Sequence, residues 1–162
     1  MSVFTFIAQN EQDTERLAQQ LAKLTVPGTV MTLDGDLGAG KTRFSQGFAR
    51  AIGVQGVVNS PTFTIIKEYM GSKLPFYHMD VYRISIEEAD ELGLDEYFYG
   101  DGVTLVEWSS LIEDILPPQR LEMKIERIGE SDRKFTIIPH GKPYTQWCSD
   151  AQENGWLTHN GQ

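Results

Sequence analysis

The chain has 162 residues and carries 14 Lys and Arg against 23 Asp and Glu, which gives a net charge of −9. This length suits a single domain whose core is large enough to be stable without disulfides. So acidic a chain is poorly suited to hold nucleic acid by itself, because phosphate backbones need Lys and Arg to displace their counterions. The sequence also lacks any run of roughly 18 apolar residues, the length that a membrane-spanning helix requires.

The cysteine content and the amino-terminal residues indicate the compartment. The one cysteine, Cys148, cannot form an internal disulfide, which favours a reducing compartment. It lies in a polar stretch without a basic neighbour to lower its pKa, so a catalytic thiol is not expected. Residues 1–13 lack the basic start and long apolar run of a signal peptide. We therefore expect a cytoplasmic protein.

The first 53 residues predict two strands, each followed by a helix. Residues 3–7 and 29–33 form the predicted strands. Asn10 is expected to cap the first helix, with Asp13 in the capping-box position, and Gly53 is expected to end the second helix. Each helix has one apolar face, formed by Leu17, Leu21 and Leu24 in the first and by Phe44, Phe48 and Ile52 in the second.

The rest of the chain predicts two hairpins with a helix and a strand between them. The hairpins pair residues 62–69 with 74–79 and residues 120–128 with 134–138. Ser85 and Glu88 form a capping box that opens an acidic helix, and residues 103–106 form an apolar strand that ends at Glu107. This order predicts an α/β fold with a mixed β-sheet flanked by helices.

The end of the chain gives no comparable signal. From Pro139 onward it is polar and shows no period that predicts an element. We therefore divide the sequence into a domain of residues 1–139 and a polar C-terminal tail of residues 140–162, whose role is unknown.

A glycine-rich loop lies between the second predicted strand and its helix. Residues 35–42, GDLGAGKT, match the phosphate-binding pattern G-x-x-x-x-G-K-[ST] (Walker A) at every fixed position. Glycines let successive N–H groups face phosphate oxygens, and the following helix adds its positive end. Lys41 brings a charge to the β- and γ-phosphates, and Thr42 offers a hydroxyl to Mg²⁺. The sequence therefore predicts a P-loop NTPase-like single domain that binds ATP.

ATP hydrolysis needs a second anchor for Mg²⁺ and a group that positions the attacking water. Asp80 and Glu107 each follow a short apolar run at an expected strand end, where a carboxylate either faces the metal or is an ordinary solvated charge. Thr62, in Ser60-Pro61-Thr62, has two interpretations that stay open: a switch residue at the γ-phosphate or ordinary turn chemistry.

Two further residues also have two interpretations each. His78 is either a functional group or a strand histidine whose hydrogen bonds are satisfied. Arg83 either contacts phosphate or pairs with the acidic helix that follows it. The guanine-reading motif Asn-Lys-x-Asp is absent from the sequence, which argues against a GTPase, and no Cys/His cluster indicates structural zinc.

With these residues assembled, the chain resembles the bacterial TsaE family, also called YjeE. These are small P-loop ATPases of the pathway that makes N6-threonylcarbamoyladenosine (t6A37) in tRNA. The resemblance runs from about Asn10 to Ile138. It rests on four motifs: GDLGAGKT at 35–42, SPTFT at 60–64, HMDVYR at 78–83 and VEW at 106–108.

The resemblance implies a role for each matching residue. The resemblance implies catalytic roles for Lys41, Thr62, Asp80 and Glu107, and Mg²⁺ binding by Thr42 and Glu107. Nucleotide contacts fall to Asp36, Leu37, Gly38, Ala39, Gly40, Lys41, Thr42, Trp108 and Arg133, with Asn10 to Thr14 on the same side as Arg133. Which of the two carboxylates orients the attacking water stays open.

The resemblance also implies cofactors and partners. The cofactors are ATP or ADP with Mg²⁺, and the partners are the threonylcarbamoyl transferase TsaD and its partner TsaB. The family itself does not transfer the threonylcarbamoyl group, and the charge of this chain predicts no direct tRNA binding. Two alternatives remain: a nucleotide-gated binding module with negligible turnover, and a small-molecule kinase, although the sequence shows no arginine-rich lid.

Overall fold

The computed structural model describes residues 2–36, 38–56, 58, 66–82 and 84–160. The strands are β1 (Phe4–Ala8), β2 (Val30–Asp34), β3 (Ile66–Met70), β4 (Pro75–Asp80), β5 (Val103–Glu107), β6 (Arg120–Arg127), β7 (Arg133–His140) and β8 (Thr158–His159). The helices are α1 (Glu11–Ala22), α2 (Lys41–Ala51), α3 (Ile86–Glu91), α4 (Leu94–Phe98) and α5 (Tyr144–Glu153), and a 3₁₀ segment spans Ser109–Ile115.

The strands form one mixed sheet in the order β3-β4-β5-β2-β6-β7-β1-β8. The four strands β4, β5, β2 and β6 run parallel to one another, whereas β3 and the strands beyond β6 pair antiparallel with their neighbours. Both predicted hairpins are therefore present, and the predicted α/β class is confirmed. The carboxyl ends of β2, β4 and β5 meet at one edge of the sheet, which is where parallel sheets place their ligands.

The two faces of the sheet bury separate apolar clusters. One cluster joins Leu17 and Leu21 of α1 and Phe44 and Phe48 of α2 to strand residues such as Phe76. The other cluster joins strand residues to α3, α4 and the 3₁₀ segment, and contains Met79, Val106, Ala89, Phe98 and Ile112. Side chains alternate between the faces along each strand. As a result, Phe76 and His78 lie on the α2 side and Met79 lies on the opposite side.

Local hydrogen bonds explain where the helices begin. The Asn10 side chain accepts from the Asp13 N–H at 2.8 Å, as predicted. The Asp13 carboxylate accepts from the Gln9 N–H at 2.9 Å, one residue before the position expected for a capping box. The Ser85–Glu88 capping box is complete, with both bonds at 3.2 Å.

The part of the chain after residue 139 is folded onto the same core. In α5, the apolar residues Tyr144, Trp147, Cys148 and Ala151 recur at i, i+3, i+4 and i+7 and are buried in the α1–α2 cluster. The expectation that this segment has no period is therefore wrong, because its helical spacing is hidden among polar neighbours. The Tyr144 hydroxyl accepts a hydrogen bond from the Val30 N–H at 2.8 Å, which ties α5 to β2.

Cys148 is buried, and the helices are short. Burial raises the pKa of the Cys148 thiol to about 12, so the thiol is unreactive, in line with the sequence. Within the described ranges, none of the helices combines the length and the apolar character needed to cross a membrane.

Candidate active site

The loop between β2 and α2 has the backbone of a phosphate cradle. Gly38 and Gly40 have φ values of +80° and +111°, a region that side chains rarely adopt. A Cβ atom on Gly35 would lie 2.6 Å from the Ile125 backbone oxygen, so the loop packs against β6 only with glycine there. Gly40 caps α2 without a side chain that could compete for the first N–H groups of the helix. The loop therefore presents the positive end of α2.

The Lys41 side chain lies inside this loop. Its Nζ atom donates to the Gly35 carbonyl at 2.5 Å and to the Asp36 carbonyl at 3.0 Å. The same atom lies 4.5 Å from the centre of the Trp108 ring, within cation–π range. The Lys41 cation is thus held at the mouth of the loop by two carbonyls and an aromatic face.

Trp108 reaches Lys41 through an unusual backbone conformation. It has φ 62° and ψ 33°, and it is the single non-glycine residue with positive φ in the described ranges. This left-handed turn carries the chain from β5 into the 3₁₀ segment and costs roughly 1–2 kcal/mol. The Trp108 ring also contacts Tyr82, with ring centroids 4.6 Å apart. Strain at a residue beside a phosphate loop is typical of a functional site.

Asp80 and Glu107 lie side by side at the carboxyl ends of β4 and β5. The two residues are register partners in the parallel pair. Burial raises the pKa of Asp80, and the neighbouring Glu107 charge raises it further, against the opposing effect of the Tyr82 N–H. That N–H donates to Asp80 Oδ1 at 3.0 Å.

Glu107 is nearly buried, with 3% of the residue exposed. Its Oε2 atom accepts from the Ser45 hydroxyl at 3.3 Å and lies 2.5 Å from His78 Nε2. The sequence did not point to either contact. Ser45 follows Lys41 by four residues, so helical periodicity places both on one face of α2. This spacing was the one signal in the sequence that could have placed Ser45 near the site.

No group of three or more His, Cys, Asp or Glu is arranged to hold a metal among the residues that the structure describes. A metal at this edge would therefore depend on few protein oxygens. That suits Mg²⁺, which binds through one or two protein oxygens together with phosphates and water. The Glu107 carboxylate and the Thr42 hydroxyl, in the first turn of α2, have the right chemistry.

Arg133 approaches the loop from the start of β7. Its Nε atom donates to the Ala39 carbonyl at 2.9 Å. A cavity of about 170 Å³ beside this contact is lined by Asn10, Glu11, Thr14, Gly40, Arg43, Glu130, Ser131 and Arg133. The structure thus brings Arg133 together with the start of α1, as the resemblance implies, although contact with a nucleotide base stays a prediction.

The structure brings together most of the sequence-predicted site. Lys41, Asp80, Glu107 and Trp108 converge at one edge of the sheet, with Asp36 and Gly38 to Thr42 around them. Leu37, Thr62 and Arg83 lie outside the described residues, so their proposed roles stay predictions. A larger cavity, of about 460 Å³, lies between Val26–Val30 and Pro143, where β2 begins, away from these residues.

Comparison with known families decides the identity of the chain. The family model described as "Threonylcarbamoyl adenosine biosynthesis protein TsaE" matches residues 8–135, well over half of the sequence. The chain belongs to the TsaE family. The resemblance inferred from the four motifs is therefore confirmed.

Relatives in the TsaE family extend over nearly the whole chain. The tRNA threonylcarbamoyladenosine biosynthesis protein TsaE of Bacillus subtilis (strain 168) is 52% identical over 145 residues, covering 90% of this chain and 91% of the relative. The protein of the same name from Treponema pallidum (strain Nichols) is 36% identical over 132 residues, covering 81% of this chain and 97% of the relative. The crystal structure of Bacillus subtilis YdiB matches with a TM-score of 0.83 and 44% identity, and the match covers 95% of this chain and 97% of the YdiB chain.

Proposed function

We propose that this TsaE-family chain binds ATP and hydrolyses it with Mg²⁺ in the biosynthesis of tRNA threonylcarbamoyladenosine, together with the transferase TsaD and its partner TsaB. The observation that carries the proposal is the convergence of Lys41, Asp80 and Glu107 on the loop at the amino end of α2. Family membership supports the pathway, and the geometry supports the chemistry.

Phosphate binding follows from the loop and Lys41. The β- and γ-phosphates would accept hydrogen bonds from the N–H groups of the loop and of the first turn of α2. Lys41 Nζ would exchange its bonds to the Gly35 and Asp36 carbonyls for bonds to phosphate oxygens, which are stronger because both partners are charged. Arg133 would stay on the Ala39 carbonyl and close one side of the cavity toward the base.

The geometry suggests how the two carboxylates divide their work. Glu107 is buried and held on one oxygen by Ser45 and His78, so it suits a fixed metal ligand together with Thr42. Mg²⁺ bound there would neutralise charge on the phosphates. Asp80 is only partly buried, and its raised pKa makes it a better proton acceptor than an ordinary carboxylate. We therefore assign the orientation of the attacking water to Asp80.

The test is phosphate release from ATP without any added acceptor, measured with and without TsaD and TsaB. We expect Mg²⁺-dependent release that rises when the partners are present. The Lys41→Ala variant should lose it, whereas Lys73→Ala, which removes an exposed lysine in the β3–β4 turn, should not. ATP consumption that requires an added acceptor, with the phosphoryl group found on that acceptor and not as free phosphate, would indicate a kinase. If no release occurs but ATP still changes docking to the partners, the chain is a nucleotide-gated binding module.

A further inference from the structure

His78 lies wholly inside the protein, on β4, two residues before Asp80. Its ring stacks on Phe76, with centroids 5.9 Å apart and planes 20° from parallel. Its Nε2 atom lies 2.5 Å from Glu107 Oε2. A buried histidine therefore makes a short contact with the carboxylate that we assign to the metal.

The hydrogen-bonding pattern fixes which nitrogen carries the proton. A carboxylate that binds Mg²⁺ is ionised and only accepts hydrogen bonds, so in the proposed site Nε2 is the donor. Nδ1 is buried and has no hydrogen-bond partner in the part of the chain that the structure describes. A proton on Nδ1 would be a buried, unsatisfied donor, which is unfavourable. The arrangement thus requires the Nε2–H tautomer.

This pattern also argues against a purely structural histidine. If the ring served only to fill the core, an apolar side chain such as that of Phe76, its neighbour on the same face, would serve without leaving Nδ1 unsatisfied. The single side-chain hydrogen bond that His78 makes within the described residues goes to Glu107. What the imidazole adds at this position is a donor for that carboxylate.

Both donors reach the same oxygen of Glu107. The Ser45 hydroxyl and His78 Nε2 bond to Oε2, and Oε1 accepts no hydrogen bond from a described residue. Ser45 is on α2 and His78 is on the strand beside β5, so the carboxylate is held from two elements of the fold. Its plane is fixed, and Oε1 remains available to a ligand.

We propose that His78 is a positioning residue that holds the Glu107 carboxylate, with Ser45, so that Oε1 is presented to the divalent cation of the bound nucleotide. This inference rests on the proposed function, in which Glu107 is a Mg²⁺ ligand. His78 itself touches neither the nucleotide nor the metal. Partners of this kind commonly change metal affinity by about 10–100-fold when they are removed.

The first test uses two substitutions at this position. His78→Phe keeps a flat buried ring and removes the donor, whereas His78→Gln keeps an N–H at a similar reach. The readout is the Mg²⁺ concentration that gives half of the thermal stabilisation by saturating ADP, with ADP binding in EDTA as the control. We expect His78→Phe to raise this concentration about tenfold or more. We also expect unchanged ADP binding in EDTA and recovery toward the wild type in His78→Gln.

A double substitution separates failure of this inference from failure of the proposed function. Glu107→Gln alone should weaken Mg²⁺ binding, and adding His78→Phe should weaken it no further, since the held group is gone. A normal Mg²⁺ response in Glu107→Gln would overturn the metal assignment, and the inference with it. A weakened response in Glu107→Gln but a normal one in His78→Phe would overturn the role of His78 alone. Equal losses of ADP binding with Mg²⁺ and with EDTA in His78→Phe would show a structural role, which also contradicts the proposal.

A measurement on the unmodified protein covers the case in which His78→Phe does not fold. Long-range ¹H–¹⁵N spectra of the three histidines report which ring nitrogen carries the proton. We expect His78 as the Nε2–H tautomer, with a signal that shifts when Mg²⁺ and ADP are added. An Nδ1–H tautomer would contradict the hydrogen bond to Glu107 and overturn the proposal.

Discussion

The ammonium group of Lys41 lies among partners that a bound phosphate would replace. Two loop carbonyls and the Trp108 ring hold it at the mouth of the glycine-rich loop. Only 7% of the residue is exposed, so the ammonium group is largely shielded from water. Its charge is therefore placed in advance for an anion.

Replacing Lys41 with Ala should weaken nucleotide binding by about 10–100-fold, the effect of losing a charge-assisted hydrogen bond worth roughly 1.5–3 kcal/mol. Thermal shift with Mg-ATP measures this. Ligand at 100 times its Kd should stabilise the wild type by about 2.7 kcal/mol, and the variant, then at only about 1 to 10 times its own Kd, by about 0.4–1.4 kcal/mol. If Lys41→Ala keeps the full shift, as Lys73→Ala should, the loop does not bind phosphate as proposed.

The raised pKa of Asp80 predicts how its removal changes stability with pH. Because the folded-state pKa lies above the ordinary value of 3.8, the folded protein favours the protonated acid, and ionisation of Asp80 destabilises the fold. This penalty is absent below the ordinary pKa and fully present above the raised one. Asp80→Asn should therefore be more stable than the wild type at neutral pH in urea denaturation without nucleotide. The difference should vanish as the pH falls toward 4.

The same substitution should lower ATP turnover by roughly a hundredfold or more, because Asn cannot accept the proton of the attacking water. Phosphate release under saturating Mg-ATP measures this. A variant that is neither stabilised at neutral pH nor slowed would contradict both the environment and the role assigned to Asp80.

At the scale of elements, the turn from β5 into the 3₁₀ segment combines strain with packing. Trp108 holds a left-handed backbone while its ring covers Lys41 and Tyr82. Gly adopts this conformation freely and Ala does not. We expect Trp108→Gly to be more stable than Trp108→Ala by about 1 kcal/mol in urea denaturation without nucleotide, although both lose the ring. Equal stabilities would mean that the backbone relaxes once the ring is removed.

The hydrogen bond between α5 and β2 offers a test of how much helix α5 stabilises the fold. Tyr144→Phe removes the hydroxyl that accepts from the Val30 N–H and leaves that group buried without a partner. The expected loss is about 1–3 kcal/mol in the free energy of unfolding. Tyr99→Phe, which changes a tyrosine that is 67% exposed, is the matched control and should change little. A loss below a few tenths of a kcal/mol would show that water or a shifted backbone replaces the bond.

These elements also show how far the sequence could be interpreted. The glycine-rich loop, its flanking strand and helix, and both hairpins have strong local signals, so they were predicted. The helical period of α5 was missed because only Trp147 and Tyr144 are large, and polar residues surround them. The contacts of Ser45 and His78 with Glu107 join residues 62 and 29 positions apart. They depend on the order of strands in the sheet, which local patterns do not reveal.

On the scale of the whole molecule, charge is distributed unevenly. Residues 84–119 contain ten of the 23 acidic residues and no Lys, Arg or His. They form β5 of the sheet together with α3, α4 and the 3₁₀ segment, and these last three elements cover one face of the sheet beside the candidate site. Such a face repels polyanions over about a Debye length.

We therefore expect the isolated protein to bind tRNA weakly or not at all, although its family serves tRNA modification. Arg133, Lys134 and Lys142 are close in sequence, but three cations supply too few phosphate contacts for tight binding. A fluorescence titration with tRNA at physiological salt measures this, first with the protein alone and then with TsaD and TsaB. Sub-micromolar binding by the protein alone would make direct RNA recognition the better interpretation.

A crystal structure with a non-hydrolysable ATP analogue and Mn²⁺ would show whether the carboxyl edge of the sheet is the Mg-ATP site that we propose. We predict phosphates on the P-loop within hydrogen-bonding distance of Lys41 Nζ. We also predict an anomalous Mn²⁺ peak bonded to the Thr42 hydroxyl and to Glu107. Nucleotide in another cavity, such as the one beside Pro143, or a metal that Glu107 does not contact, would contradict the proposed site.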